Sequence, residues 1–196
     1  MKKILSLALA LALMLALTAC AKPENSEASE VESTQESNTS TTESRPLREG
    51  AYVFADAIEF EIEDSWTIFY IDNGSLVVEF DSSRYAAEIS FVTPAIAPHV
   101  VVDEGFLIGM VNRIVEPTGG EVTLTEVVEI TIDGQVALTM RADIKLTESL
   151  AAKMNFWICK TENDNTVYVI IFFADAEDYD VCFPQAQALV DSIRFI

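Results

Sequence analysis

Apolar and polar positions alternate with two different periods along this chain, and the periods mark its elements. Ile58, Phe60 and Ile62 alternate with Glu59, Glu61 and Glu63, which predicts a strand with one apolar face and one wet face of three carboxylates. Trp66 to Ile71 and Ser75 to Phe80 flank Asp72-Asn73-Gly74, an Asn-Gly hairpin signal. A further strand is predicted from Glu88 to Val92, ended by Pro94 and Pro98. The period then changes: after Asp103, a helix-capping residue, Phe106, Leu107, Met110, Val111 and Ile114 fall on one helical face. Pro117 and Gly119-Gly120 end that helix, and the pair Gly105/Gly109 suggests a close backbone approach to the sheet.

Two hairpins follow. Val122 to Ile132 and Gln135 to Leu146 flank Asp133-Gly134, and Val136, Leu138, Met140, Ala142, Ile144 and Leu146 alternate with polar or small residues. Ala152 to Thr161 and Thr166 to Phe173 flank the Glu162 to Asn165 turn. Val167 to Phe173 is apolar in both phases, so it needs cover on both faces. A second helix, with Ala186, Leu189, Val190 and Ile193 at helical spacing, follows Pro184, which suits a helix start or kink. The predicted class is α+β: an antiparallel sheet with helices packed on both faces.

The amino terminus reads differently. Lys2 and Lys3 precede a 14-residue uncharged run, Ile4 to Leu17, shorter than the roughly 20 residues of a membrane-spanning helix. Residues 1–19 are read as an export signal. Leu17-Thr18-Ala19-Cys20 resembles the lipobox of bacterial lipoproteins, and the resemblance implies cleavage before Cys20 and a diacylglycerol thioether on it. Two acyl chains make such an anchor stable where one is marginal. Residues 20–49 are read as a linker: Ala21 to Ser44 holds six Ser, four Thr and six Glu, with Val31 its one sizeable apolar side chain. Such a segment buries too little to offset its ordering entropy, and its reach is roughly 30 Å. Residues 50–196 are read as one domain, long enough to bury a core.

Charge narrows the partners. Of the chain's net −20, the stretch from Ala51 to Ile196 carries −18, with 25 Asp and Glu against 7 Lys and Arg. That repels phosphate backbones and anionic headgroups, so nucleic acid is excluded as a partner and the membrane is met through the lipid anchor alone.

Ile62-Glu63-Asp64-Ser65-Trp66, the Ile132-Asp133-Gly134 turn, Asn165-Thr166-Val167-Tyr168-Val169 and the closing Leu189-Val190-Asp191-Ser192-Ile193-Arg194-Phe195 resemble the PsbP-like superfamily of extrinsic photosystem II proteins and small bacterial lipoproteins. The resemblance runs from about Ala57 to the carboxyl end. It implies an α/β/α sandwich and an accessory, non-catalytic role, and it carries no metal-binding histidine pattern onto a domain with one histidine.

Candidate chemistry is sparse. His99, the single imidazole, sits in a Pro-flanked loop, and no G-x-S-x-G elbow, glycine-rich phosphate loop, C-x-x-C or H-E-x-x-H occurs. Cys159 and Cys182 lie in apolar strings and stand as inert core thiols or, since an exported compartment permits it, as a disulfide pair. Asp175, Glu177, Asp178 and Asp180 form the densest acidic cluster, open to Ca²⁺ binding with hard oxygen ligands, or to favourable placement at a helix amino terminus. Trp66, Tyr70, Trp157 and Tyr168 are candidates for an aromatic binding surface if their strands turn them outward, with core packing the alternative. No cofactor is expected beyond the diacylglycerol on Cys20.

The leading expectation is a tethered extracytoplasmic, non-catalytic binding or accessory module, on the outer face of the cell membrane, that meets an envelope protein or a small ligand. A Ca²⁺-linked structural domain and a carboxylate-dependent hydrolase are the alternatives.

Overall fold

The computed structural model describes residues 49–71, 75–80, 87–162 and 165–196. The export signal, the lipobox with Cys20, the linker to residue 48 and the Asn73-Gly74 turn lie outside them. The strands are β1 (Tyr52–Phe54), β2 (Ile58–Phe60), β3 (Thr67–Ile71), β4 (Ser75–Glu79) and β5 (Ala87–Ile96). After helix α1 (Glu104–Val115) come β6 (Glu121–Leu124), β7 (Val128–Ile132), β8 (Gln135–Thr147), β9 (Leu150–Lys160) and β10 (Thr166–Asp175). Helix α2 (Tyr179–Asp191) and β11 (Arg194–Phe195) close the fold.

Eight strands make one antiparallel sheet in the order β3-β4-β5-β10-β9-β8-β6, with β7 also paired to β8, and β1-β2-β11 form a small second sheet. The large sheet is covered on both faces, as β10, apolar in both phases, requires. Met154, Phe156 and Ile158 meet Leu107, Val111 and Ile114 of α1 on one side. Trp157 and Cys159 meet Cys182, Ala186 and Leu189 of α2, with Phe54, Ile58 and Phe60 of the small sheet, on the other. The architecture is thus the α+β sandwich expected from the sequence.

Several boundaries moved, each for a local reason. β5 runs on through Pro94 because the pairing slips by one residue there: Val92 faces Val169 whereas Ala95 faces Val167. A proline is tolerated at such a bulge, where its missing N–H costs no ladder bond. The strand expected from Val122 to Ile132 divides in two. Leu124 faces Ala142 and Val128 faces Thr139, one residue more on the first strand than on its partner. Thr125 fills the gap, its N–H donating to Arg141 O at 2.9 Å and its hydroxyl accepting from Arg141 N at 2.9 Å. Both residues of the turn after β7, Asp133 and Gly134, have positive φ (46° and 79°), the signature of the I′ hairpin.

The first helix begins as expected, Asp103 accepting from Phe106 N at 2.8 Å. Gly105 and Gly109 do not approach the sheet: a Cβ on Gly109 would meet nothing within 4 Å. The close approach is at Gly120, where a Cβ would lie 2.9 Å from Lys145 O. Helix α2 starts earlier than expected, at Tyr179, and holds Pro184 inside it. The expected carboxylate stripe of β2 is also corrected. Ile58, Glu59 and Phe60 are all buried, since β11 sets Arg194 opposite Glu59 and its Nη1 lies 2.6 Å from Glu59 Oε1. Glu61 and Glu63 remain exposed.

Candidate functional site

The first turn of α2 and the β8–β9 face beneath it bring together the ionisable side chains of most interest. Strand alternation puts odd-numbered residues of β8 and β9 on the α2 side, and register sets Arg141 beside Asn155 and Asp143 beside Lys153. Arg141 Nη2 donates to Asp143 Oδ2 at 3.2 Å, and its Nε lies 2.8 Å from Oδ1 without hydrogen-bond geometry, an ion pair between positions two apart on one strand face. Asn155 Nδ2 donates to Thr139 Oγ1 at 2.9 Å.

Tyr179 closes over this row. Arg141 Cζ stands 5.9 Å and Lys153 Nζ 5.1 Å from its ring centroid, within reach of a cation–π attraction. The ring also stacks on Phe183 at 5.1 Å. Burial pushes the Tyr179 phenol up to about 12, against the opposing pull of the Arg141 guanidinium.

The acidic turn lies alongside. Asp175, Glu177 and Asp178 offer carboxylate oxygens within 4.8 Å of one another. Asp180, the fourth member expected from sequence, is not among them: its Oδ1 is 3.8 Å from Lys153 Nζ. Asp178 occupies the N-cap of α2 without a side-chain cap bond. Its backbone carbonyl instead accepts from Val181 N and Cys182 N, each at 3.1 Å. Asp178 and Asp180 thus stand at the helix amino terminus, the placement favourable to carboxylates.

Cys159 and Cys182 are both buried and both free thiols, so the disulfide considered from sequence is not formed. They share the core between β9 and α2. Burial pushes Cys159 up to about 12 and Cys182 up to about 11, the latter with help from the Asp178 charge. Low dielectric around a thiol disfavours the thiolate that oxidation and nucleophilic attack both need.

The aromatic binding surface is corrected as well. Trp66, Trp157 and Tyr168 are buried: Trp66 just ahead of β3, and Trp157 and Tyr168 on the phases of β9 and β10 that face α2 and the small sheet rather than water. Trp66 packs edge-on against Phe80 at 4.7 Å, Trp157 stacks on Phe183 at 6.1 Å, and Tyr168 leans on Phe195 at 4.7 Å. The Tyr70 side chain lies outside the described residues. His99 is exposed in its loop, away from these groups in the fold.

Sequence reasoning passed over Arg141, Lys153 and Tyr179. The available signal was charge within otherwise apolar strands, Arg141-Ala142-Asp143 and Lys153, which needs a partner wherever the strand is covered.

The structure is similar to the solution structure of cyanobacterial PsbP from Synechocystis sp. PCC 6803, with a TM-score of 0.57 and 13% identity, over 74% of this chain and 91% of that one. The fold is PsbP-like. LpqN of Mycobacterium tuberculosis, described as involved in cell envelope biogenesis, aligns with a TM-score of 0.46 and 11% identity over 70% of this chain and 82% of its own. The Saccharomyces cerevisiae Ran-binding protein Mog1p aligns with a TM-score of 0.49 and 13% identity over 70% and 89%. No family model and no curated protein matches the chain. The PsbP-like sheet thus carries a polar row under α2 in which Arg141, Lys153 and Asn155 each have a partner. Among the described residues, no helix is long and apolar enough to cross a membrane.

Proposed function

We propose that this protein is a lipid-anchored, extracytoplasmic accessory module that binds a partner in the cell envelope without catalysing a reaction. The observation that carries the non-catalytic part is the pairwise closure of the polar row: Arg141 with Asp143, Lys153 with Asp180, and Asn155 with Thr139. An acid–base or nucleophilic site needs groups converging on a common point where a reacting atom sits. These groups face one another instead. The buried thiols, held toward the neutral form, point the same way. Anchoring through Cys20 rests on Leu17-Thr18-Ala19-Cys20 and on the Ser/Thr/Glu-rich spacer that follows.

The test has two parts. Mass spectrometry of the mature amino-terminal peptide is expected to give Cys20 carrying diacylglycerol, and a Cys20→Ser chain to leave the membrane fraction. An unmodified Cys20 in the mature protein would remove the anchor, and turnover abolished by particular carboxylate substitutions would remove the non-catalytic reading.

A Ca²⁺-linked structural role is the second reading, favoured by the approach of Asp175, Glu177 and Asp178 to within 4.8 Å. Ca²⁺ takes six to eight oxygen ligands, so backbone carbonyls and water must complete the shell. Calorimetry with Ca²⁺ alone tests it, and the absence of both heat and a melting shift removes it.

A further inference from the structure

One end of the large sheet gathers the β5–α1 loop, the β9–β10 turn, the β7–β8 turn and the chain beyond β11. Ala97 N donates to Asn165 O at 3.0 Å, Glu162 N donates to Gln135 Oε1 at 3.3 Å, and Phe195 N donates to Asp133 Oδ2 at 3.0 Å. Large apolar side chains stand open to water at this end: Ile96 at 78%, Val101 at 73%, Val136 at 56% and Ile196 at 46%. Among the described residues only Tyr52, Val128 and Val181 are comparably exposed, Val128 on β7 beside the strand that carries Val136, Tyr52 on β1 and Val181 on α2. Ile96 and Val101, the two most exposed, flank one turn in which Val100 N donates to Ala97 O, while Val136 lies across two intervening strands and on the other face. Neighbouring exposed apolar side chains mark an interaction site where scattered ones do not.

The loop that carries the two most exposed of them is fixed. Lys160 Nζ donates to Val100 O at 2.7 Å and to Pro98 O at 3.3 Å, and Val100 N donates to Ala97 O at 3.1 Å. Ala97, Val100 and Val102 pack against the core on the α1 side, so Ile96 and Val101 are held outward by neighbours that point in. A surface already in shape loses less entropy on binding. Around it stand the exposed carboxylates of Asp103, Glu104 and Glu162, while the Lys160 ammonium is turned onto backbone carbonyls.

Resting on the reading of this protein as a binding module, we propose that this end of the sheet docks an envelope protein presenting an apolar ridge flanked by lysine or arginine. The apolar centre with a charged rim is the layout of a protein interface. The acidic rim selects the complementary sign and sets association rate and specificity. A bilayer fits less well, since the acidic rim and the −18 of the domain oppose anionic headgroups. A second copy meets the same like-charge opposition.

The experiment places a photoreactive benzoylphenylalanine at Ile96, Val101 or Val181 of the full chain in the cells that produce it, and sequences the cross-linked peptides. The expected result is adducts from 96 and 101 but not from 181, to a segment of another protein with apolar residues between Lys or Arg. Glu104→Lys with Glu162→Lys should lower their yield several-fold. Adducts to lipid, to a second copy, or to a segment without basic flanks overturn the proposal. Adducts from 181 alone overturn this site and leave the binding-module reading standing; no adduct at any position counts against both.

Discussion

Arg194 Nη1 sits 2.6 Å from Glu59 Oε1, with the carboxylate 2% exposed and the guanidinium 19%. A charge buried this far depends on its partner, because removing one side takes a contacting opposite charge from the other where water cannot replace it. Glu59→Ala or Arg194→Ala is expected to cost roughly 3–5 kcal/mol in urea unfolding. Replacing both together by Met is expected to recover most of that loss. If each single substitution falls below 1 kcal/mol, the pair is not what holds β11 on β2.

The chain has two tryptophans, and both are buried. Native emission is expected to be blue-shifted and poorly quenched by acrylamide until the protein unfolds. Trp157→Ala is expected to destabilise by about 3–5 kcal/mol, read from a denaturant midpoint. Ready quenching in the native state would return these rings to the surface.

The buried thiols and Tyr179 give a defined response to alkali. Each is raised in the folded state, Cys159 to about 12 and Cys182 to about 11 from 9.0, and Tyr179 to about 12 from 10.0. The unfolded chain therefore loses these protons first as pH rises. Stability from them is fully present below pH 9 and is lost as pH climbs toward 12. Thermal melts from pH 8 to 11 should show a falling midpoint, and a thiol reagent at pH 8 should label neither cysteine until denaturant is added. Stoichiometric labelling of the native protein would contradict the burial.

Two glycines test the backbone with opposite signs. Gly120→Ala forces a Cβ to 2.9 Å from Lys145 O and is expected to destabilise by roughly 1–3 kcal/mol, as overpacking does. Gly109→Ala, with nothing within 4 Å of its Cβ, is expected to stabilise α1 by about 0.5–1 kcal/mol. The two midpoints compared with the parent settle it.

Period and turn chemistry carried most of the fold in the sequence. Asp103 announced α1, Asp133-Gly134 announced the β7–β8 hairpin, and the two-phase apolar run of β10 announced cover on both faces. The features that stayed hidden depend on pairings between distant residues. Pro94 reads as a breaker until Val92 and Ala95 are seen to straddle a bulge against β10. Glu59 reads as a wet carboxylate until Arg194 is set opposite it. The candidate site was legible only in part: three of the four carboxylates in the acidic turn do meet, but the phase of a strand apolar on both faces says nothing about which aromatic reaches water. That ambiguity left surface and core both open for Trp157 and Tyr168, and the structure buries them.

The pairing of β2 with β11 also sets an order of events in biosynthesis. Glu59 and its guanidinium partner are separated by nearly the whole folded part of the chain, so the small sheet cannot close until the segment around Arg194 has been delivered. Until then Glu59 lacks Arg194 and β2 lacks one of its neighbours. Closure of the small sheet is thereby deferred until nearly the whole domain has been made, so β2 spends the synthesis of eight intervening strands waiting for its second neighbour.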